Sequence, residues 1–191
     1  MRILQLHCDS IEYTPTKKEI KSAEDIENPE TQRLEELVVV FVAIEDGDDS
    51  SVAQNAISQI KNSMEKIGCK KLLLYPYAHL SSNLAKPSVA MSLLNEMEIN
   101  SSDLEVSHSP FGWTKSYKIQ VKGHPLAESS KVVTKDSADQ HEKELTSDAL
   151  KGESKIRSYW KIMSPDGTLS NIADFDFTNH KKLEILAKYE S

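Results

Sequence analysis

Two short segments hold the side chains of this sequence that are best suited to chemistry. Tyr75-Pro-Tyr-Ala-His-Leu-Ser81 follows an apolar run typical of a buried strand, and open α/β sheets bind ligands at such carboxyl ends. Its His79 could orient a substrate, move a proton or bond a loop carbonyl. Ser109-Pro-Phe-Gly-Trp-Thr-Lys115 predicts a rigid turn, where Gly112 lets a ligand approach the main chain and Lys115 supplies a cation. The alternative for this segment is an aromatic hairpin with a solvated lysine.

Several common kinds of active site have no support in the sequence. The six histidines contain no closely spaced pair of the kind that marks a zinc site, so we expect no metal centre. Cys8 and Cys69 are far apart, which argues against a disulfide framework. His7 and Cys8 are strand neighbours whose side chains point to opposite faces, so they do not form a nucleophile pair. Glycine-rich nucleotide-binding loops and the GxSxG serine motif are absent.

Length and charge exclude further classes of protein. The 191 residues predict one domain with an extension, or two small domains, and 38% hydrophobic residues suffice for a core. The net charge of −7 excludes a broadly basic protein that coats nucleic acid, and we expect no DNA partner, although local contacts to RNA remain possible. No apolar run approaches the ~20 residues of a membrane span, and the N-terminus lacks a signal peptide. These patterns predict a cytoplasmic protein without a membrane partner.

Hydrophobic patterning indicates the elements that must position the two segments. Leu37–Ile44 is apolar on both faces and predicts a central strand that is covered on both sides. A helix over 51–67 and a strand over 71–75 complete a βαβ unit. The remaining residues predict a strand at 1–7, a loop over 14–36 with a short helix near 31–36, a helix at 87–97, and strands at 104–108, 116–122 and 130–134. Together they predict an α/β (α+β) fold, a mixed β-sheet with flanking helices.

The composition changes after residue 134. Residues 135–157 have no aromatic side chain and predict a solvated helix or linker. Residues 158–163 look like a strand, Pro165-Asp-Gly167 a turn before a second short strand, and residues 177–191 the start of a helix. This tail has too few apolar residues for a core of its own. We therefore expect it to open a domain that continues beyond it.

Taken in order, these segments resemble one family, the N-terminal editing domain of archaeal threonyl-tRNA synthetases. The matching stretches are MRILQLHCDSIEY, FVAIEDGD, YPYAHLS, SPFGWTKSYKIQVKGHPLAE and SYWKIMSPDG. The resemblance implies a D-aminoacyl-tRNA deacylase-like fold. It also implies an editing domain over residues 1–134, a linker over 135–157 and the start of the following synthetase region over 158–191.

The same resemblance implies a proofreading hydrolase. Serine lacks one methyl group of threonine, a difference worth only about 1–3 kcal/mol, so a second site must remove serine from threonine tRNA. The implied partners are the 3′ end of threonine tRNA carrying serine and a second copy of the chain in a homodimer. No cofactor is implied for editing, whereas the full-length synthetase would use ATP, magnesium and zinc.

The resemblance assigns roles to particular residues. Lys115 supports hydrolysis together with the 2′-hydroxyl of the tRNA, His79 lies near the substrate or adenosine, and Glu128 holds Lys115 or the substrate ammonium. The pocket is lined, largely through backbone atoms, by Pro76, Tyr77, Phe111, Gly112 and Trp113. Two positions depart from the family pattern and also belong to the expected pocket. Thr114 replaces a frequent tyrosine, and Ala43 lies where a small hydroxyl residue can occur.

Two other functions remain open at this stage. One is a freestanding deacylase that removes D-amino acids from tRNA, and the linker and the tail over 158–191 argue against it. The other is a non-catalytic module for tRNA binding or dimerisation. The presence of Lys115, His79 and Glu128 argues against that second alternative.

Overall fold

The computed structural model describes residues 1–27, 29–139 and 161–190. Its contacts divide the chain into two compact units, Met1–His141 and Glu142–Ser191. The first unit contains the residues that the sequence assigns to the site. None of the helices in the described residues is long and apolar enough to cross a membrane.

A mixed sheet forms the first unit, as the sequence predicts. The strands are β1 Arg2–Lys18, β2 Gln32–Ala43, β3 Lys71–Pro76, β4 Glu105–His108, β5 Trp113–Val121 and β6 Glu128–Val132. Their order in the sheet is β4-β3-β2-β1-β5, and β6 also pairs with β1. The β2–β3 and β3–β4 pairs are parallel, while β1 pairs antiparallel with β2, β5 and β6.

The helices α1, Ser50–Ile67, and α2, Pro87–Ile99, pack together on one face of this sheet. The side chain of Asp49 accepts hydrogen bonds from the first turn of α1, and Gly68 ends the helix with a left-handed conformation. The predicted β2–α1–β3 unit is therefore confirmed. It places the carboxyl ends of β2 and β3 side by side, because both strands run in one direction.

Strand β2 is covered on both faces, as its continuous apolar run predicts. Val38, Val40 and Val42 belong to the core under the two helices. The alternate residues, including Val39 and Phe41, belong to a second core on the opposite face, where side chains of β1 and aromatic rings of β3 cover them. Alternation of side chains along a strand explains why one apolar run serves two cores.

Two local predictions were wrong in the segment between the first strands. Strand β1 continues to Lys18, and the short helix expected near 31–36 is instead the beginning of β2. Long-range pairing decides this, because Ile11 faces Leu34 across the antiparallel ladder and Leu34 packs against the second core. A weakly helical pattern of six residues does not outweigh such a ladder.

The second unit contains a hairpin and a helix. Strands β7, Lys161–Met163, and β8, Leu169–Asn171, pair antiparallel around the predicted turn, and α3 spans Lys181–Glu190. Of the predicted linker, residues 135–139 form a short 3₁₀ helix and residues 140–157 lie outside the described residues. The domain boundaries stay a prediction.

Candidate active site

A cavity of about 490 Å³ opens in the first unit where the parallel strands end. The carboxyl ends of β2 and β3 supply Ala43 and Pro76, and the turn before β5 supplies Phe111 and Gly112. The volume lies within the range of sites that hold a small organic ligand. The other lining residues are Glu19, Ile20, Val42, Ile44, Tyr75, Tyr77, Ala78, His79, Leu84, Ala85, Pro87, Ala90, Leu94, Trp113, Thr114, Lys115 and Tyr117.

Lys115 places a partly buried ammonium in this cavity. Its Nζ donates a hydrogen bond to the Pro110 carbonyl at 2.7 Å and lies 4.7 Å from the centre of the Tyr75 ring. Burial lowers the pKa of Lys115 to about 8, against an opposing effect of the Glu24 carboxylate. The ammonium is therefore protonated in most molecules at neutral pH but is only weakly hydrated, which suits it to stabilise a developing negative charge.

Aromatic rings form the wall of the pocket around Lys115. Tyr75 lies 5.7 Å from Tyr117 and 6.3 Å from Tyr77, measured between ring centres. Burial raises the pKa of Tyr75, so its phenol stays neutral and does not serve as a base at neutral pH. His79, in the 3₁₀ helix Ala78–Leu80, lies 5.2 Å from the Tyr77 ring and is exposed at the mouth of the pocket.

The turn before β5 is held against the segment that follows β1. Gly112 has a φ of +75°, and a Cβ there would lie 2.8 Å from side-chain atoms of both Ile20 and Ala23. The backbone N–H of Glu19 donates to the Gly112 carbonyl at 2.9 Å. Only glycine combines this conformation with so close an approach. The backbone of the turn is therefore presented to the pocket in a defined position.

Comparisons with known proteins decide the family. Residues 1–133 match the family model described as the archaea-specific editing domain of threonyl-tRNA synthetase. The chain belongs to this family. The editing domain is a hydrolytic proofreading module that acts on mischarged tRNA.

Named relatives agree with this assignment. The chain is 87% identical over 191 residues to the threonine–tRNA ligase of Nitrosopumilus maritimus, and the matched region covers all of this chain and 31% of that protein. It is 52% identical over 192 residues to the threonine–tRNA ligase of Cenarchaeum symbiosum, covering all of this chain and 30% of that protein. The chain thus spans about a third of the length of the curated relatives it matches.

A solved structure supports the fold. The c-Myc DNA unwinding element binding protein matches with a TM-score of 0.52 and 10% sequence identity, covering 69% of this chain and 98% of that one. At this identity the likeness concerns the fold alone. The shared fold is consistent with the mixed sheet and flanking helices that the sequence predicts.

The pocket of the editing domain gathers nine of the ten residues that the sequence assigned to the site. They are Ala43, Pro76, Tyr77, His79, Phe111, Gly112, Trp113, Thr114 and Lys115. Thr114 donates a hydrogen bond to the Glu19 carboxylate at 2.8 Å.

Glu128 is the tenth residue, and the fold does not bring it to the pocket of its own chain. It begins β6 opposite Leu6 of β1, whereas Lys115 lies opposite Pro15. Nine residues of β1 separate these positions, which is roughly 30 Å of extended strand. The Glu128 side chain is exposed to solvent in this structure.

Sequence reasoning missed four residues that shape the polar end of the pocket. Tyr117 carries a detectable signal, because it lies two positions after Lys115 and so shares its face of β5. Tyr75 ends the predicted strand over 71–75 and begins the YPYAHLS segment, but the expected site residues do not include it. Glu19 and Ile20 had no local signal, since they reach the pocket only through the position of β1 in the sheet.

Proposed function

We propose that the editing domain hydrolyses seryl-tRNA(Thr) and spares threonyl-tRNA(Thr). The observation that carries this proposal is the weakly hydrated ammonium of Lys115, held beside main-chain atoms of a rigid turn in a pocket of about 490 Å³. Such a pocket is larger than serine needs and leaves room for the terminal adenosine of the tRNA. Serine is smaller than threonine by one methyl group, so a closely walled hydrolytic site can accept the wrong product and exclude the right one.

The reaction we propose is ester hydrolysis. A water attacks the ester carbonyl, a tetrahedral oxyanion forms, and the carbon–oxygen bond to the adenosine breaks to release serine and free tRNA. The water supplies the hydroxyl of the serine carboxyl group, and a proton passes to the departing ribose oxygen. The neighbouring 2′-hydroxyl of the tRNA takes part in this hydrolytic step. Lys115 stabilises the oxyanion, and His79 at the pocket mouth orients the substrate. This route needs no cofactor.

Glu128 belongs to the proposal only if two copies of the chain combine. About 30 Å of strand lies between its position and that of Lys115, so one chain does not bring the two side chains together. We propose a homodimer in which Glu128 serves the pocket of the second copy. In its support, Leu126, which lies two residues before the edge strand β6, and Val132, the last residue of that strand, are 56% and 59% exposed, as residues of an interface would be in a single copy.

The wider setting follows from the family. The named relatives are threonine–tRNA ligases. We therefore propose that this chain is the editing part of a ligase that attaches threonine to tRNA(Thr) and that uses ATP, magnesium and zinc to do so. The compartment we propose is the cytoplasm.

The decisive experiment measures release of amino acid from seryl-tRNA(Thr) and threonyl-tRNA(Thr) by this chain, with the buffer rate subtracted. We expect release of serine, retention of threonine, and a loss of about 10²–10³-fold in Lys115→Met, which removes an oxyanion-stabilising group. Lys118→Met is the matched control, because Lys118 lies on the same strand with a side chain that is 85% exposed. Equal cleavage of both esters, or none above the buffer rate, would contradict the proposal.

A further inference from the structure

Three ionisable side chains form a hydrogen-bonded row behind the pocket wall. His108, the last residue of β4, has Nδ1 2.7 Å from a carboxylate oxygen of Glu98 on α2 and Nε2 2.9 Å from a carboxylate oxygen of Glu24. The three side chains are largely buried, with 24% exposure for His108, 26% for Glu24 and 31% for Glu98. None of them lines the cavity, so substrate contact does not explain the row.

Glu24 connects this row to the turn before β5. Its second carboxylate oxygen accepts a hydrogen bond from the Phe111 N–H at 2.6 Å. Its backbone N–H donates to the Phe111 carbonyl at 3.2 Å, and its carbonyl accepts from Trp113 Nε1 at 2.8 Å. One residue therefore holds the turn by three hydrogen bonds.

The turn before β5 also holds the ammonium of Lys115. The Pro110 carbonyl, which accepts the hydrogen bond of the Lys115 ammonium, lies immediately before Phe111 in the chain. A displacement of Phe111 would move this carbonyl and leave a partly buried ammonium with a poorer partner. Glu24 also acts by charge, because its carboxylate favours the protonated form of Lys115 against the effect of burial. The other titratable side chains that share the pocket are Glu19, Tyr75, Tyr77, His79 and Tyr117.

We propose that Glu24 is a positioning residue of the deacylation site, which fixes the turn through Phe111 and thereby the Pro110 carbonyl that holds Lys115. Glu98 and His108 secure the Glu24 carboxylate from behind. This inference rests on the hydrolytic function proposed above. It assigns a role to the segment after β1, which local sequence patterns describe only as a loop.

Two substitutions separate the hydrogen bonds of Glu24 from its charge. Glu24→Gln keeps an oxygen for the Phe111 N–H and an amide that can donate to neutral His108, but it removes the negative charge. Glu24→Ala removes the charge and both side-chain hydrogen bonds. Glu27→Ala is the matched control, since Glu27 is an exposed carboxylate of the same segment.

We expect Glu24→Ala to lower kcat on seryl-tRNA(Thr) about tenfold or more with KM changed by less than about threefold, because the reacting group is misplaced. Glu24→Gln restores most of kcat. In both variants we expect the titration of Lys115 to move to lower pH. This titration is measured by NMR of the chain labelled with ¹³C-lysine, and the Lys115 signal is assigned by its absence in Lys115→Met. Glu27→Ala keeps the kcat and the titration of the unsubstituted chain.

The outcomes distinguish this inference from the proposed function. If the unsubstituted chain cleaves serine, an unchanged kcat in Glu24→Ala overturns the positioning role, and so does an unmoved Lys115 titration in Glu24→Ala. If the unsubstituted chain cleaves no ester, the proposed function fails. The NMR titration then still decides whether Glu24 governs the protonation of Lys115. It requires no catalytic activity, and it can be carried out on Glu24→Gln, which keeps the side-chain hydrogen bonds.

Discussion

The ammonium of Lys115 lies 4.7 Å above the ring of Tyr75. The lysine belongs to β5 and the tyrosine to β3, so the contact crosses the concave face of the curled sheet. The ring face attracts the cation but supplies no hydrogen bond, while it keeps water away from one side of the ammonium. The Pro110 carbonyl provides the hydrogen bond instead. Burial of the ammonium lowers the pKa of Lys115 to about 8, whereas the ring face and the Pro110 carbonyl favour its charged form.

The first prediction concerns the pH dependence of deacylation. If the protonated form of Lys115 stabilises the oxyanion, the enzyme-dependent rate falls as pH rises through about 8, where Lys115 loses its proton. In Lys115→Arg the guanidinium stays protonated, so this fall disappears even if the maximal rate is lower. Rate measurements from about pH 6 to about pH 9.5, corrected for spontaneous hydrolysis, provide the test. A rate that instead rises through pH 8 would show that the neutral amine is the active form.

The second prediction tests whether Glu128 acts across a dimer. Lys115→Met and Glu128→Gln chains should each be slow, but co-refolded at equal amounts they should recover about a quarter of full activity. Recovery is expected because a mixed dimer has one pocket with both defects and one pocket with none. Co-refolding two samples of Lys115→Met is the control and should recover nothing. If mixed dimers recover no activity, Glu128 does not act in the pocket of the second copy.

The third prediction concerns the close approach of Gly112 to the segment after β1. Gly112→Ala introduces a Cβ 2.8 Å from atoms of Ile20 and Ala23 and imposes a positive φ on alanine. The conformational cost alone is about 1–2 kcal/mol in the free energy of unfolding. Deacylation should fall as well, because the turn must move. Gly123→Ala has nothing within 4 Å of its new Cβ and should change stability by less than about 0.5 kcal/mol in urea unfolding.

The fourth prediction concerns the stability contributed by His108. Burial opposes its charge, but the hydrogen bonds and charges of Glu24 and Glu98 outweigh burial and raise the pKa of His108 above its ordinary value. The protonated form is thus favoured by folding, so its contribution is fully present below about pH 6.5 and is lost as pH rises through the raised pKa. The free energy of unfolding of the original chain should therefore exceed that of His108→Gln most at acidic pH. A constant difference across the pH range would contradict the assignment.

Local sequence patterns were enough to determine much of this editing domain. The buried run of β2 and the helical spacing of α1, which ends at Gly68, predicted the βαβ unit that lines up two carboxyl strand ends. The segments around His79 and Lys115 were recognised because proline, glycine and aromatic residues constrain the backbone within a few positions. Each of these signals depends on neighbours in the chain, so it survives without knowledge of the fold.

The tertiary structure alone decided which distant groups meet. Glu24 reaches Phe111 across 87 positions of sequence, and no local pattern marks such a pair. Strand pairing likewise explains why residues 32–36 belong to β2 and not to the predicted short helix. It also explains why Glu128 lies far from Lys115 within one chain. Register is set by long-range ladders and by the fit of two cores on opposite faces of one sheet. The sequence thus determined the local elements and the chemistry of the reactive segments, whereas packing determined which carboxylate acts on the lysine.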